Sequence, residues 1–362
     1  MKKEIPSDTP TDNTVSSDIQ FIHLLRAIAI SMVVYAHFVG QSIGMNNAAW
    51  RPKLWIETYL LQPFGIIQSF GFAGVALFFL VSGYIITHVA STENRREFAI
   101  KRIWRIYPPL IVSVLICVLV MKLNGAPLPS WSDIFLNFTL FNYLLVPQVV
   151  IQGVAWSLVI EVTFYVLTFI FLNLLKRYPL AHLLVQSFLV AIVLIKCRAF
   201  GGNFFLFAVG FSYLPFLLSG QAFYFWQNKR LSLFWCVVII LLQFALIQWG
   251  IRSIQPQFLE VANSYLINFV FMLGLFLLLA QADIPRLHFI PKRLAEMSYS
   301  LYLLHGNIGI FILTVLGQHM PYFVALLMSI AATLLIAQLS LMLVEKPSQK
   351  FARYLKNIKK VS

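Results

Sequence analysis

Arg26 and His37 stand inside an apolar stretch, IHLLRAIAISMVVYAHFVG over 22–40, that is long enough to cross a bilayer. On an α-helix their separation advances roughly 1100°, three turns plus about 20°, which puts both on one face with Cα atoms about 16 Å apart along the axis. Ionisable side chains within a span usually face protein or water. The spacing therefore predicts a polar cavity along this face, with a fixed cation at one end and a titratable imidazole at the other. Each residue alone also has a plainer reading: Arg26 could snorkel to headgroups, and His37 could be a hydrogen-bonded interfacial residue.

A carboxylate completes the set. Glu161, in GVAWSLVIEVTFYVLTFIF, is the acid well inside a span, where insertion costs about 2.5–3.5 kcal/mol. Read inward from the outer face it falls about 12 Å deep, near enough to His37 to orient or charge-stabilise the imidazole. A buried salt bridge that fixes helix packing is the structural alternative. Arg95, Arg96, Lys101, Arg102 and Arg105 form the densest internal basic cluster. Such runs commonly anchor a chain to anionic lipid, but Arg102 and Arg105 are one helical turn apart and suit a shared phosphate. In FFLVSGYIIT, Ser82 and Gly83 interrupt a bulky wall, either for close helix packing or for a narrow channel. MSYSLYLLHGNIGI places Tyr302 and His305 three residues apart, as interior hydrogen-bonding groups or as substrate or cofactor contacts. Glu345, beside Lys346 and Pro347, needs no more than an inner-face salt bridge.

These residues must be positioned by membrane helices. The chain has 362 residues, 60% hydrophobic and 11% charged, with a mean hydropathy of +0.81. That excludes an ordinary soluble domain. Apolar runs of spanning length fall near 22–40, 66–90, 107–122, 153–175, 180–197, 203–226, 231–249, 261–281, 298–316 and 322–345. The fold class expected is an all-α polytopic transmembrane bundle of about ten spans. The third run opens on Pro108 and Pro109, tolerable in a first turn. The segment 131–147, broken by Asn137 and Asn142, reads as interfacial or re-entrant, since counting it as a span would invert every later loop.

The basic residues act as topology signals. With the N-terminus in the cytoplasm, 20 of the 27 Lys and Arg fall on the inner side and six outside, Arg26 being within a span. Both termini are then cytoplasmic. Residues 1–20 read as a disordered tail, 21–346 as the membrane domain and 347–362 as a basic tail. The net charge of +14 is spread between apolar runs, so it does not point to nucleic acid. The three cysteines lack metal or disulfide spacing, and no metal site is expected. Aromatic outer positions such as Trp50, Trp55, Tyr59 and Trp131 fit an interfacial belt, or sugar stacking.

Taken together, these residues resemble the acyltransferase-3 family of integral membrane O-acyltransferases, over essentially the whole chain after residue 20. The Arg-x10-His pattern of Arg26 and His37 is the most specific match, followed in the family's order by FFLVSGYIIT, IKRIWRIYPPL, AWSLVIEVTFY, SYSLYLLH and VEKP. Two departures stand out. The Asp-Gly pair common before the first arginine is replaced by FIHLLR, and the fused extracellular esterase-like domain of many relatives is not read here, so action alone or with a separate partner is expected. The resemblance implies a multi-pass protein of the bacterial inner membrane that moves an acyl group, most often acetyl, from cytoplasmic acyl-CoA to a hydroxyl of a cell-surface or lipid-linked glycan, alongside glycan-assembly proteins. On this reading Arg26, Arg102 and Arg105 hold the phosphates of acyl-CoA, with acetyl-CoA as the expected donor, and Ser82 and Gly83 line its path. His37 acts as general base or as transient acyl carrier, Glu161 sets its tautomer, and Tyr302 and His305 contact substrate or cofactor. A glycan exporter and a membrane scaffold with purely structural charges are the competing classes.

Overall fold

The computed structural model describes residues 12–41, 50–254, 262–282, 284 and 289–357. Lipid offers no partner for open amides and carbonyls, so a chain this apolar closes its backbone hydrogen bonds within helices. The described residues form helices and turns, without a strand. Among them nine helices are long and apolar enough to cross a membrane, and Pro179–Ile195, with 17 residues, is a shorter tenth. All ten coincide with the apolar runs read from the sequence.

Helix α1 (Asp12–Tyr35) starts inside the stretch expected to be a tail and continues as a π-helical turn over Ala36–Gln41. Residues 1–11, and Lys2, Lys3, Arg286, Lys359 and Lys360 of the charge census, lie outside the described residues. Helix α2 (Gly71–Thr92) is the hub, buried along most of its length between α1 and α7 (Leu214–Gln227). Two glycines make its crossing with α7 possible: a Cβ on Gly83 would stand 1.9 Å from the Leu217 carbonyl oxygen, and one on Gly220 would stand 2.0 Å from that of Leu80. Gly83 is therefore a packing residue, which corrects its assignment to the cofactor path. With no solvent-driven hydrophobic effect between helices in lipid, such backbone approach is a main source of their association.

Helix α3 (Arg95–Leu123) begins well before 107, because Asn94 caps it by accepting from the Glu97 amide at 2.9 Å. Pro108 and Pro109 consequently sit in mid-helix rather than in a first turn, where they take the amide partners from the carbonyls of Trp104 and Arg105. Beside them the Tyr299 hydroxyl donates to the Ile106 carbonyl at 2.8 Å. The run at 131–147 is no span. It is a short helix, Trp131–Thr139, opened by a reciprocal Ser130–Asp133 capping box and closed by Leu140 in a left-handed conformation. Asn137 and Asn142, which break the apolar run, both donate to the Val149 carbonyl (3.0 and 3.2 Å) and pin the following loop.

Besides two short helices, Arg51–Ile56 and Leu172–Arg177, the other helices are α4 (Trp156–Ile170), α5 (Pro179–Ile195), α6 (Gly202–Phe211), α8 (Leu233–Ile254), α9 (Ala262–Gln281), α10 (Phe289–Leu304), α11 (Ile310–Gly317), α12 (Tyr322–Ser340) and α13 (Lys346–Asn357). Further π-helical turns join α10 to α11 over His305–Gly309 and α12 to α13 over Leu341–Glu345. Four basic segments meet at one end of the bundle. Lys101 pairs with Glu93, Lys176 donates to the Glu93 carbonyl (2.6 Å), Arg230 donates to the Lys176 carbonyl (2.5 Å), and Lys356 pairs with Glu97 at 3.3 Å.

Candidate active site

Two cavities lie in the heart of the bundle, and α1, α2, α4 and α10 contribute to both. The first, with an empty volume of about 780 Å³, is lined by Arg26, Ser82, Arg102, Arg105, Glu161 and Tyr302, among others. Six of the nine residues singled out from the sequence thus share one space. The second, about 1560 Å³, holds His37. Tyr302 and Val75 line both, so the two cavities adjoin across these side chains.

In the first cavity the Arg26 guanidinium donates to Ser298 Oγ at 2.7 Å. Arg102 lies over the rings of Phe98 and Tyr165, both 5.8 Å from the guanidinium carbon. Its Nε is buried without a hydrogen-bond partner. Among the described residues no carboxylate comes within ion-pair distance of Arg26, Arg102 or Arg105, although the charges of Glu161 and Glu345 act on both Arg26 and Arg105. Guanidiniums gathered in one cavity with few direct partners present forked donors whose geometry matches phosphate. Glu161 instead accepts hydrogen bonds through Oε1 from the Tyr165 hydroxyl and from Ser82 Oγ (3.3 Å).

Glu161 is therefore not the partner of His37. Successive residues of a helix turn about 100°, and α4 divides accordingly: Ser157, Leu158, Glu161 and Tyr165 face the arginine cavity while Trp156, Val159 and Ile160 face the other. Depth along the membrane placed Glu161 near the imidazole, but rotation about the helix axis turns it to the arginines.

The partner of His37 is His305. His37 Nδ1 lies 2.9 Å from the Val33 carbonyl oxygen, and His305 Nδ1 lies 2.7 Å from that of Tyr302. A carbonyl only accepts, so both Nδ1 atoms carry the proton. His305 Nε2, 3.2 Å from His37 Nδ1, then accepts from the same N–H that reaches Val33. The lone pair of His37 is left on Nε2, the arrangement a general base requires. The rings meet edge to face, 4.7 Å between centroids.

Both histidines sit in π-helical turns, a register shift frequent at functional sites. The His305 turn is clamped by the loop that follows the short helix. Gln152 Nε2 donates to the Leu303 carbonyl (2.7 Å) and Asn307 Nδ2 to the Ile151 carbonyl (2.6 Å). Tyr302 shares a hydrogen bond of 2.7 Å with Ser157 and donates to the Val154 carbonyl at 3.0 Å. Tyr143, in the same loop region, donates to the Gln152 carbonyl at 2.5 Å, and burial pushes its phenol well above the ordinary range, so it stays a donor.

Several participants were not read as such in the sequence. Tyr165 stands one helical turn after Glu161, a spacing that could have revealed it. Ser157 and Glu345 gave no comparable signal. Glu345 is buried and accepts from Ser300 Oγ at 2.8 Å and from Gln349 at 3.2 Å rather than making an ion pair. Trp55, Tyr59 and Trp131 point outward and are strongly exposed, as an interfacial belt would be. Among the described residues no group of three or more His, Cys, Asp or Glu is placed to hold a metal ion.

The profile of the acyltransferase-3 family, described as an acyltransferase domain, matches residues 19–342. The chain belongs to the acyltransferase-3 family. Membership makes it an integral membrane O-acyltransferase and decides against the exporter and scaffold readings. This acyltransferase is similar to nodulation protein 10 of Rhizobium leguminosarum bv. viciae, at 24% identity over 94% of this chain and 96% of the relative. It is also similar to the peptidoglycan O-acetyltransferase OatA of Listeria monocytogenes serovar 1/2a, at 28% identity over 80% of this chain but only 53% of the relative, so it matches about half of that protein's length. No solved structure matches it.

Proposed function

We propose that this acyltransferase takes an acetyl group from acetyl-CoA on the cytoplasmic side of the bacterial inner membrane and passes it to a hydroxyl of a cell-surface or lipid-linked glycan. The observation that carries this reading is the pair of adjoining cavities, one walled by guanidiniums and the other by an imidazole with its lone pair on Nε2. A peptidoglycan O-acetyltransferase among the relatives supports a glycan acceptor. On this reading the end where the basic segments converge faces the cytoplasm, in keeping with the positive-inside rule, and both termini lie on that side.

The chain's own residues suit the donor. Arg26, Arg102 and Arg105 hold its phosphates, and the unpartnered buried Nε of Arg102 is the group that fits this ligand best. The donor supplies an activated thioester, whose transfer to an alcohol is downhill. Ser82 and Tyr165 hold Glu161 within the arginine cavity, where its charge balances part of the guanidinium cluster when no anion is bound. On the other side of Tyr302, His37 Nε2 takes the proton of the acceptor hydroxyl as the hydroxyl oxygen bonds to the thioester carbonyl carbon. The C–S bond breaks, and the proton returns to the departing thiolate to release free CoA. Val33 and His305 keep the imidazole in the tautomer that can take the proton.

The test uses purified protein in vesicles with radiolabelled acetyl-CoA and the cell's own glycan, freed of esters by mild alkali. Wild type is expected to form alkali-labile acetyl ester. His37→Ala is expected to lose about 10²–10⁴ of that rate, the range of a general base, while remaining inserted and able to bind CoA. Ester formation by His37→Ala at the wild-type rate would remove His37 from the mechanism.

A further inference from the structure

The two cavities differ in charge as well as in size. Arginines dominate the first, whereas among the described residues the second carries no carboxylate, guanidinium or ammonium. Its polar groups besides His37 are amides, phenols and an indole, among them Gln68, Gln148, Tyr143, Tyr265 and Trp156. Each of these exchanges single hydrogen bonds with a hydroxyl, and none can neutralise an ion. An ionised group enclosed there would lose its hydration without gaining a counter-charge.

Gln68 reaches this chamber on strained backbone. Gln68, Ser69 and Phe70 have φ of 52°, 49° and 70°, three successive non-glycine residues in the left-handed region. Such strain persists only where the surroundings over-determine it, and it gathers at ligand sites. Here the π-helical turn that carries His37 presses on the strained residues: a Cβ on Gly40 would stand 2.7 Å from the Cβ of Ser69. The element that sets the base therefore also sets Gln68. The Gln68 amide donates to the Tyr265 hydroxyl at 3.1 Å, tying the strained turn to α9. In the same lining, Trp156 and Tyr213 meet with ring centroids 5.4 Å apart and form an aromatic wall. Aromatic faces accept the C–H face of a sugar ring while amides and phenols take its hydroxyls.

We propose that the His37 chamber is the acceptor subsite and selects an uncharged sugar residue, with Gln68 and Tyr265 reading its hydroxyls and Trp156 packing against the ring. The inference rests on the acyl-transfer reading above and narrows its acceptor. The gating of charge is then spatial: the anionic donor meets arginines, and the neutral acceptor meets none.

The experiment uses the full chain in vesicles with acetyl-CoA and de-esterified glycan from the producing cells. Gln68→Asn keeps a residue that tolerates the left-handed region, and Tyr265→Phe keeps the ring. Each is expected to raise the acceptor KM about five- to tenfold, the effect of one lost hydrogen bond, with the acetyl-CoA KM unchanged. Mass spectrometry of the wild-type product is expected to place the ester on a neutral hexose or N-acetylhexosamine. An ester on a uronic, phosphorylated or free amino sugar overturns the inference, as does an unchanged acceptor KM in both variants. Absence of any ester with wild type strikes the acyl-transfer reading itself, and this inference falls with it.

Discussion

His305 replaces the carboxylate that the sequence offered as the partner of His37. Its Nε2 accepts from His37 Nδ1–H, so the imidazolium formed when His37 takes a proton keeps a hydrogen-bond partner beside it. A Gln in its place offers an amide oxygen as acceptor, and Leu offers none. His305→Gln is therefore expected to hold kcat within about tenfold of wild type, whereas His305→Leu loses about 100-fold or more, with both KM values unchanged in each. Equal kcat in the two variants would mean that His305 serves only to fill space. A second expectation concerns the donor. Arg102→Gln and Arg105→Gln each remove a charged donor, worth about 1.5–3 kcal/mol, and should raise the acetyl-CoA KM at least tenfold while the acceptor KM stays put. A residue-by-residue reading of the sequence singled out many of the side chains that line the two cavities, because ionisable groups in a span have few reasons to be there. It placed Arg26 and His37 on one helix face, and both do open into adjoining cavities. The sequence did not show how α4 is rotated, since its apolar residues run all the way round. That missing angle sent Glu161 to the wrong partner.

At the scale of elements, the spans were legible and their joints were not. Hydropathy marks where lipid-compatible stretches lie, which is why all ten runs reappear as helices. It does not mark π-helical turns, which keep the same composition while shifting the register, and three of them occur at His37, His305 and Glu345. Nor does it tell a packing glycine from a channel glycine. Gly83 and Gly220 face each other's helix backbone, so the crossing of α2 and α7 tolerates no Cβ without moving apart. Gly220→Ala is expected to destabilise the protein by about 1–3 kcal/mol or more, since the new methyl meets the backbone of α2 rather than a flexible side chain and the two helices must move apart. Ser82→Ala, one residue from Gly83 but on the cavity wall, should leave thermal stability in detergent within about 0.5 kcal/mol, in keeping with its half-buried position. A matching loss of melting temperature in both variants would show that α2 is held by its whole length rather than at the glycine crossing.

For the whole molecule, the proposed division between an arginine cavity and an uncharged chamber implies that donor and acceptor approach from opposite sides. The basic segments of α3, the short helix Leu172–Arg177 after α4, the loop after α7 and α13 converge on one end through Lys101, Lys176, Arg230 and Lys356. Such convergence of four segments fits the parity of the charge census only if 131–147 does not cross, and its short capped helix does not. Gln148, on the exposed loop that reaches the His37 chamber, belongs to the other end. The three cysteines are all buried, which keeps background low in labelling experiments. A cysteine at Gln148 should react with a membrane-impermeant maleimide added outside intact cells. One at the exposed Arg353 of α13 should react only once the inner face is opened. Labelling of both positions from one side would collapse the two-sided arrangement, because the arginine cavity and the imidazole chamber would then draw on a single compartment.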